Sequence, residues 1–388
     1  VLDFSRYRAG PTTAQIMADM GADVIRVERP GGEGDRKLGP YTSKGESFYL
    51  MITCRNKKDI TLNLATEGGN NILKELVKKA DVVVESFGPG VNRKLGLDYD
   101  SLKAEKSDII VVAVSAFGQD GPYAKRLAFD AIAQAMSGLM AVTGLTDSAP
   151  LKHGANFIDT ATGVYGALGA MFALYHREKT GEGQMVDVAL LDTAVSYTES
   201  FAGEYREAGK IRPRLGNAHY YVGPYDAYKA EDGYFYLAVI GEAIWRRFCR
   251  FMGREELTHD PKFSSDSKRS LPDNQVFFSK WLNDWAQDKK VAEIVIMFND
   301  AGVPCSPVNT IPQAVDDPQI KHREMLVELD HPGIGTIPIP GIPFKLSLTP
   351  GLVRTARPFL GEHNNDVYQS LLGYDKAKID RLKKQGII

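Results

Sequence analysis

Cysteine is scarce and scattered. The 388-residue chain has three, Cys54, Cys249 and Cys305, with no C-x-x-C pair. Neither a zinc site nor a disulfide framework is indicated, and the three read as reduced structural thiols of a reducing compartment. The histidines (His153, His176, His219, His259, His322, His331, His363) show neither i,i+4 nor H-E-x-x-H spacing, so no metal is expected. Charge of one sign is also lacking. A formal net charge of -2 gives no global field to draw nucleic acid or an anionic membrane, although a local basic pocket for a phosphorylated ligand stays open. No apolar run approaches the ~20 residues of a membrane span. No G-x-S-x-G elbow is present, which argues against an α/β-hydrolase. The chain opens on Val1 inside an apolar stretch, so residues are expected upstream, and a targeting peptide there stays open.

What is present is ordinary globular composition, 43% hydrophobic and 25% charged, with enough length for two or three domains at about 150 residues each. In the first half, β-branched runs alternate with amphipathic stretches. Strands are expected at Val1–Phe4, Asp23–Glu28, Asp59–Leu64, Asp81–Glu85, Ile109–Ser115 and Met185–Ala189. Helices are expected at Pro11–Gly21, Glu67–Lys79, Ala131–Val142, Thr162–His176 and Leu190–Ala208. This alternation predicts an α/β fold, a mostly parallel sheet covered by helices. A hairpin over Tyr225–Tyr228 and Tyr234–Ile240, then helices at Glu242–Met252, Asn274–Trp285 and Val291–Ala301, predict a smaller α+β domain. Near Gln319 the chain turns proline-rich, and a charged helix, Asp375–Lys384, closes it. The expected division is residues 1–210, 220–318 and a return segment 319–388.

Candidate chemistry sits mainly after the strands. The first turn, Ser5-Arg6-Tyr7-Arg8-Ala9-Gly10-Pro11, lacks G-x-G-x-x-G, so it has no glycine cradle for a pyrophosphate and a nicotinamide dehydrogenase is disfavoured. Arg6 and Arg8 beside a helix N-terminus make either an anion site or two solvated surface arginines. Arg29 ends the second strand before a glycine-rich loop. Ser86-Phe87-Gly88-Pro89-Gly90 follows the next strong strand and is either a simple turn or a loop where backbone and an aromatic face meet a ligand. Asp159, in Gly154–Gly163, precedes a long Ala/Gly-rich helix. From its residues alone it reads as an N-cap. The alternative is a carboxylate nucleophile, kept ionised by the helix N-terminus and served by nearby N–H donors.

Nine stretches together resemble the class III (CaiB/BaiF-type) CoA-transferase family, in the family's order: VLDFSRYRAGP (1–11), GADVIRVERPG (21–31), CRNKKDITLNL (54–64), ADVVVESFGPG (80–90), SAFGQDGPYA (115–124), FDAIAQAMSG (129–138), DTATG (159–163), KTGEGQMVDVALLD (179–192) and HPGIG (331–335). The resemblance covers essentially the whole chain. It implies a Rossmann-like large domain built from both chain ends, a small α+β domain, and an interlocked homodimer. It implies an enzyme that moves CoA between carboxylic acids, with CoA and acyl-CoA as substrates and no tightly bound cofactor or metal. Asp159 matches the family's catalytic aspartate, which passes through an aspartyl anhydride and an aspartyl-CoA thioester. Matching CoA contacts are Arg8 and Ala9, Arg29, Leu62, Asn63, Leu64 and Ala65, Ser86, Phe87 and Gly88, Lys94, and Leu127, Ala128, Phe129 and Asp130.

Oxalate-type members have glutamine at the position of Arg8, histidine at that of Arg6, and a run of glycines where this chain has Leu215–His219. Oxalate is therefore not the expected acid. Arg6 and Arg8 instead point to a dicarboxylate such as succinate. Two other readings of the superfamily stay open, an α-methylacyl-CoA racemase and a non-catalytic CoA-binding subunit. A racemase needs two opposed acid–base groups and carries histidine where this chain has Phe129, although Glu242 matches a racemase glutamate. The expected setting is the cytoplasm, or the mitochondrion or peroxisome of a eukaryote, with no nucleic-acid or membrane partner.

Overall fold

Six short runs form one parallel sheet: β1 (Leu2–Asp3), β2 (Val24–Glu28), β3 (Lys57–Thr61), β4 (Val82–Glu85), β5 (Ile110–Ser115) and β6 (Met185–Ala189), in the order β3-β2-β1-β4-β5-β6. The structure is a computed structural model that describes residues 1–332 and 334–388. Gly333, within the HPGIG stretch, lies outside the described residues. Strands β2 and β4 are buried along their whole length, as a parallel sheet covered on both faces requires. β3 begins at Lys57, ahead of the expected Asp59. Lys57 is itself buried in the sheet, its Nζ 2.7 Å from Asp3 Oδ2 and 2.8 Å from the Pro11 carbonyl. A lysine so paired is part of the sheet's interior.

The strand order reverses direction between β1 and β4. In such sheets the crevice outside the carboxyl ends of the two strands at this switch is where ligands bind. The loops after β1 and β4 are those carrying Arg6 and Arg8, and Ser86 to Gly88.

Three helices frame that edge: α1 (Ala9–Asp19), α2 (Asp130–Ser137) and α3 (Phe157–Thr180). α3 starts five residues before the expected Thr162, so Asp159 lies inside its first turn and is not an N-cap. By length and composition α3 is also apolar enough to cross a membrane. The sequence reading expected no such run. Here Ile158, Gly163, Ala167, Ala170 and Ala173 are buried, while Val164, Leu168, Met171, Phe172 and Tyr175 are exposed. The expected single helix over Leu190–Ala208 is two, Leu190–Ser196 and Phe201–Ala208. Glu199 between them has φ 50°, and a left-handed residue cannot propagate a right-handed helix.

The chain divides into two compact units. One holds Val1–Met140, Lys152–Gly209 and Pro318–Ile388; the other holds Ala141–Leu151 and Lys210–Asp317. In the first, the C-terminal segment returns to β3: the Tyr368 hydroxyl donates to the Thr61 carbonyl at 2.7 Å, and Asn364 exchanges hydrogen bonds with Thr61. The proline-rich run, unforeseen as a strand, forms Gly335–Pro340, antiparallel to Leu326–His331. Pro338 and Pro340 face out while Ile337 and Ile339 are buried, the placement an edge strand allows proline. The second unit is a three-stranded antiparallel sheet, Tyr225–Lys229, Tyr234–Ala238 and Cys305–Pro307, with helices around Trp245, Phe248, Phe278 and Phe298.

Candidate active site

Two helix N-termini meet at the site because glycine lets them. A Cβ on Gly163 would stand 2.6 Å from Thr12 Cβ and 2.7 Å from the Ala9 carbonyl oxygen, so only glycine permits this contact of α3 with α1. The Thr13 hydroxyl seals it by donating to the Gly163 carbonyl at 3.1 Å. The result brings Arg8, at the head of α1, to the first turn of α3, where its Nε is 3.4 Å from Thr160 Oγ1.

Asp159 is half-buried in that turn. Its backbone N–H donates to Asp130 Oδ2 at 3.0 Å. Asp130 is buried, and its other oxygen accepts from the Gln134 side chain one turn along α2. Gln134 in turn accepts from His153 N–H at 3.0 Å. Burial above all, then the neighbouring Asp130 charge, pushes the Asp159 carboxyl up to about 7, with Arg8 pulling the other way. Two carboxylates in one partly dry corner cannot both ionise freely.

A cavity of about 630 Å³ opens beside this turn, lined by Arg8, Tyr49, Ala155, Asn156, Phe157, Thr160, Ala161, Val164 and Tyr197. The Arg8 guanidinium stands 5.9 Å from the Tyr49 ring centre. Burial and the Asp159 charge push the Tyr49 phenol well above its ordinary range, against Arg8, so it remains a hydrogen-bond donor. Sequence reasoning missed Tyr49, Phe157 and Tyr197. Tyr49 lies in Phe48–Thr53, a helix after a glycine-rich stretch with no motif to mark it.

Arg6 is turned away from this cavity. Its guanidinium lies 4.3 Å from the Phe87 ring centre and 3.5 Å from Glu33 Oε2, and its N–H donates to Ser86 Oγ at 2.9 Å. The divergence comes from Tyr7, whose φ of 65° is left-handed, a costly state for a bulky residue. Asp35 holds it there, accepting the Tyr7 N–H at 3.1 Å while Arg26 Nη2 grips both Asp35 oxygens at 2.9 and 3.0 Å. Arg26 and Asp35 are both buried. The expected pairing of Arg6 and Arg8 on one acid is therefore not what the geometry brings together: Arg8 is beside Asp159, and Arg6 is with the Ser86–Gly88 loop.

The other matched residues line the sheet's carboxyl edge on adjacent strands. Arg29 follows β2 and is largely exposed, its Nε donating to the Gly32 carbonyl at 2.9 Å. Leu62 to Ala65 follow β3, with Asn63 bonded to the Ile387 and Gly386 carbonyls. Phe87 N–H donates to Glu85 Oε2 at 2.7 Å. Burial, then the Asp187 and Asp98 charges, raise the Glu85 carboxyl to about 7, opposed by its hydrogen bonds from Phe87 and Asn92. Lys94 is exposed at the end of Val91–Lys94. Leu127 and Phe129 are exposed, Ala128 is half-buried, and Phe129 meets the Tyr7 ring edge-on at 5.5 Å. Ala9 is buried in α1. No group of three or more His, Cys, Asp or Glu side chains disposed for a metal occurs among the described residues.

The family model described as CoA-transferase family III matches residues 1–364. A succinyl-CoA–D-citramalate CoA-transferase from Chloroflexus aurantiacus is 34% identical over 390 residues, covering 100% of this chain and 96% of that protein. A succinyl-CoA:glutarate CoA-transferase from Mus musculus is 33% identical, covering 100% of this chain and 89% of that one. Among solved structures, a CaiB/BaiF family protein from Brucella suis superposes with a TM-score of 0.84 at 34% identity, covering 95% of this chain and 97% of its own.

Proposed function

Because the chain belongs to CoA-transferase family III, we propose that it transfers CoA from succinyl-CoA to a second carboxylic acid, with Asp159 as the covalent carrier. The relatives that act with succinyl-CoA on citramalate and glutarate support a dicarboxylate on both sides of the exchange. The observation that carries the assignment to Asp159 is its place in the first turn of α3, tied to Asp130, with its neighbour Thr160 beside Arg8 in the lining of the cavity.

The steps balance without ATP or net proton transfer. The Asp159 carboxylate attacks the succinyl thioester carbonyl, forming a mixed anhydride and releasing CoA thiolate. The thiolate attacks the aspartyl carbonyl, giving an Asp159–CoA thioester and free succinate. The acceptor carboxylate then displaces thiolate to form a second anhydride, and thiolate attack on the acceptor carbonyl releases the new acyl-CoA and restores Asp159. The positive end of α3 and the Arg8 guanidinium offset the charge of the tetrahedral oxyanions. A carboxylate of raised pKa is the better nucleophile once ionised, provided the pH is high enough to ionise it.

On this reading CoA lies along the carboxyl edge of β3, β2, β1 and β4, between Leu62–Ala65 and Ser86–Gly88, and Arg6 serves the CoA side. The exposed apolar stripe of α3 supports an interlocked homodimer, a state that light scattering on the eluted protein would reveal as twice the chain mass. The nucleophile is tested by mass spectrometry after incubation with succinyl-CoA and quenching with borohydride or hydroxylamine. The expected outcome is a mass change on Asp159 that is absent from Asp159→Ala. No change with succinyl-CoA or a panel of other acyl-CoAs would move the assignment to the racemase or non-catalytic reading, which deuterium exchange at the acyl α-carbon separates.

A further inference from the structure

Glu85 closes β4 and is fully buried. Its two oxygens both face the segment that follows it. Oε2 accepts the Phe87 N–H at 2.7 Å, and Oε1 accepts from Asn92 Nδ2 at 3.1 Å. Asn92, itself buried, passes the hold along the chain. Its Oδ1 accepts the N–H groups of Gly90 at 3.2 Å and of Arg93 at 2.8 Å. One carboxylate and one amide thus tie the backbone N–H groups of Phe87, Gly90 and Arg93. The segment they shape, residues 86–94, carries Ser86, Phe87, Gly88 and Lys94, all matched to CoA contacts.

The donors and acceptors of this pair cannot be exchanged one at a time. An ionised Glu offers only acceptors, whereas an Asn amide offers an acceptor at one end and an NH2 group at the other. The Asn92 amide cannot turn over, because two N–H groups hold its Oδ1. Glutamine at 85 would keep the Phe87 bond and set an NH2 group against Asn92 Nδ2, leaving a buried donor without a partner. Exchanging both residues restores the match: the amide at 85 donates to a carboxylate at 92, which still takes the Gly90 and Arg93 N–H groups. Gln119, in the loop after β5, completes the fit. Its N–H is held by Asp187 Oδ2 of β6 at 2.9 Å, its Oε1 is 3.4 Å from Asn92 Nδ2, and its Nε2 is buried without a partner. Turning that amide over presents Nε2 to a carboxylate at 92.

We propose that Glu85 is the positioning residue of the CoA side: through Asn92 it fixes residues 86–94 in the shape that binds acyl-CoA. This rests on the reading of that segment as a CoA contact, and not on which residue is the nucleophile. A residue acting in this way changes the binding of CoA and leaves the chemistry at Asp159 alone. Binding lost equally from ground and transition states weakens affinity without lowering kcat.

The test is the dissociation constant of free CoA, by titration calorimetry, beside kcat for exchange of labelled succinate into succinyl-CoA. Glu85→Gln is expected to weaken CoA by about tenfold or more, with kcat within about twofold of wild type. The double variant Glu85→Gln/Asn92→Asp should return to within about threefold of wild-type affinity. If Glu85→Gln does not fold, Asn92→Ala carries the same expectation, since it frees the Gly90 and Arg93 N–H groups and leaves Glu85 its bond from Phe87. Unchanged CoA affinity in the single variant overturns the proposal, as does a double variant no better than the single one. So does a fall in kcat as large as the loss of affinity, the mark of a general structural role. Phe87→Ala separates this proposal from the reading beneath it, and should weaken CoA by about tenfold. If it does not, the segment is no CoA contact, and that reading falls with the proposal. If it does and Glu85→Gln does not, the positioning role alone falls.

Discussion

Asp130 accepts a hydrogen bond from the backbone N–H of Asp159 at 3.0 Å, so one carboxylate is held in place by the same group that makes it harder to ionise. Position and charge can be separated. Asp130→Asn keeps an oxygen for the N–H but removes the negative charge. A nucleophile must be ionised, and the Asp159 carboxyl is pushed up to about 7. The wild-type kcat/KM should therefore fall as pH drops through about 7. In Asp130→Asn the same acid limb should lie at lower pH. Rate profiles between pH 5 and 9 check this, and an unmoved limb would mean that Asp130 does not set the titration.

The same shift predicts a stability effect. A carboxyl whose folded pKa lies above its unfolded value favours the protonated form, so its penalty is absent at low pH and grows as pH rises from about 4 through about 7. Asp159→Asn removes that penalty. Above pH 7 the variant should be more stable than wild type by about 1 kcal/mol or more, a gain that shrinks toward pH 4. Thermal melts at pH 5 and pH 8 would show it, and equal gains at both would contradict the linkage.

Gly163→Ala tests the meeting of the two helices. The added methyl would fall 2.6 Å from Thr12 Cβ and 2.7 Å from the Ala9 carbonyl oxygen. Overpacking of this kind costs about 1–3 kcal/mol. Because Arg8 and Thr160 sit where the helices converge, kcat should fall by about tenfold or more even where the protein stays folded. Denaturant titration alongside initial rates separates the two losses. Gly181→Ala, at a site with φ 77° and open space, serves as a strained control far from the turn.

Arg26→Met tests the buried ion cluster. Arg26 contacts Glu28 at 2.7 Å and Asp35 at 2.9 Å, all three nearly inaccessible to water. Removing one partner of a buried set strands the opposite charges and costs about 3–5 kcal/mol. Asp35 also holds Tyr7, so the surviving folded fraction should show a higher KM for succinyl-CoA. Chemical denaturation and a thioester titration measure the two effects.

The sequence made the sheet legible because parallel strands buried on both faces must be nearly continuous in β-branched residues, as Val82-Val83-Val84 is. It made the matched loops legible because they follow those strands. It misjudged Asp159 as a cap, since Phe157 and Ile158 carry no sign that the helix has begun. It paired Arg6 with Arg8 because neighbours in sequence were assumed to face one ligand. The left-handed Tyr7 that parts them depends on Asp35, twenty-eight residues away, and no local pattern encodes that. The strand Gly335–Pro340 was hidden for a related reason: its prolines are tolerated only because they fall on the unpaired side of an edge.

The return of the chain's tail to β3 governs the order of synthesis. Thr61 is bonded by Asn364 and Tyr368, and Asn63 by the Ile387 carbonyl. The loop Leu62–Ala65 is made early, yet an anchor of the strand before it, Asn364, follows Thr61 only 303 residues later. A nascent chain with its first five strands already paired still lacks one bank of the groove. The early-made half must therefore stay unfinished through the synthesis of an entire second unit, a period in which an exposed β3 edge is open to chaperones and to mispairing.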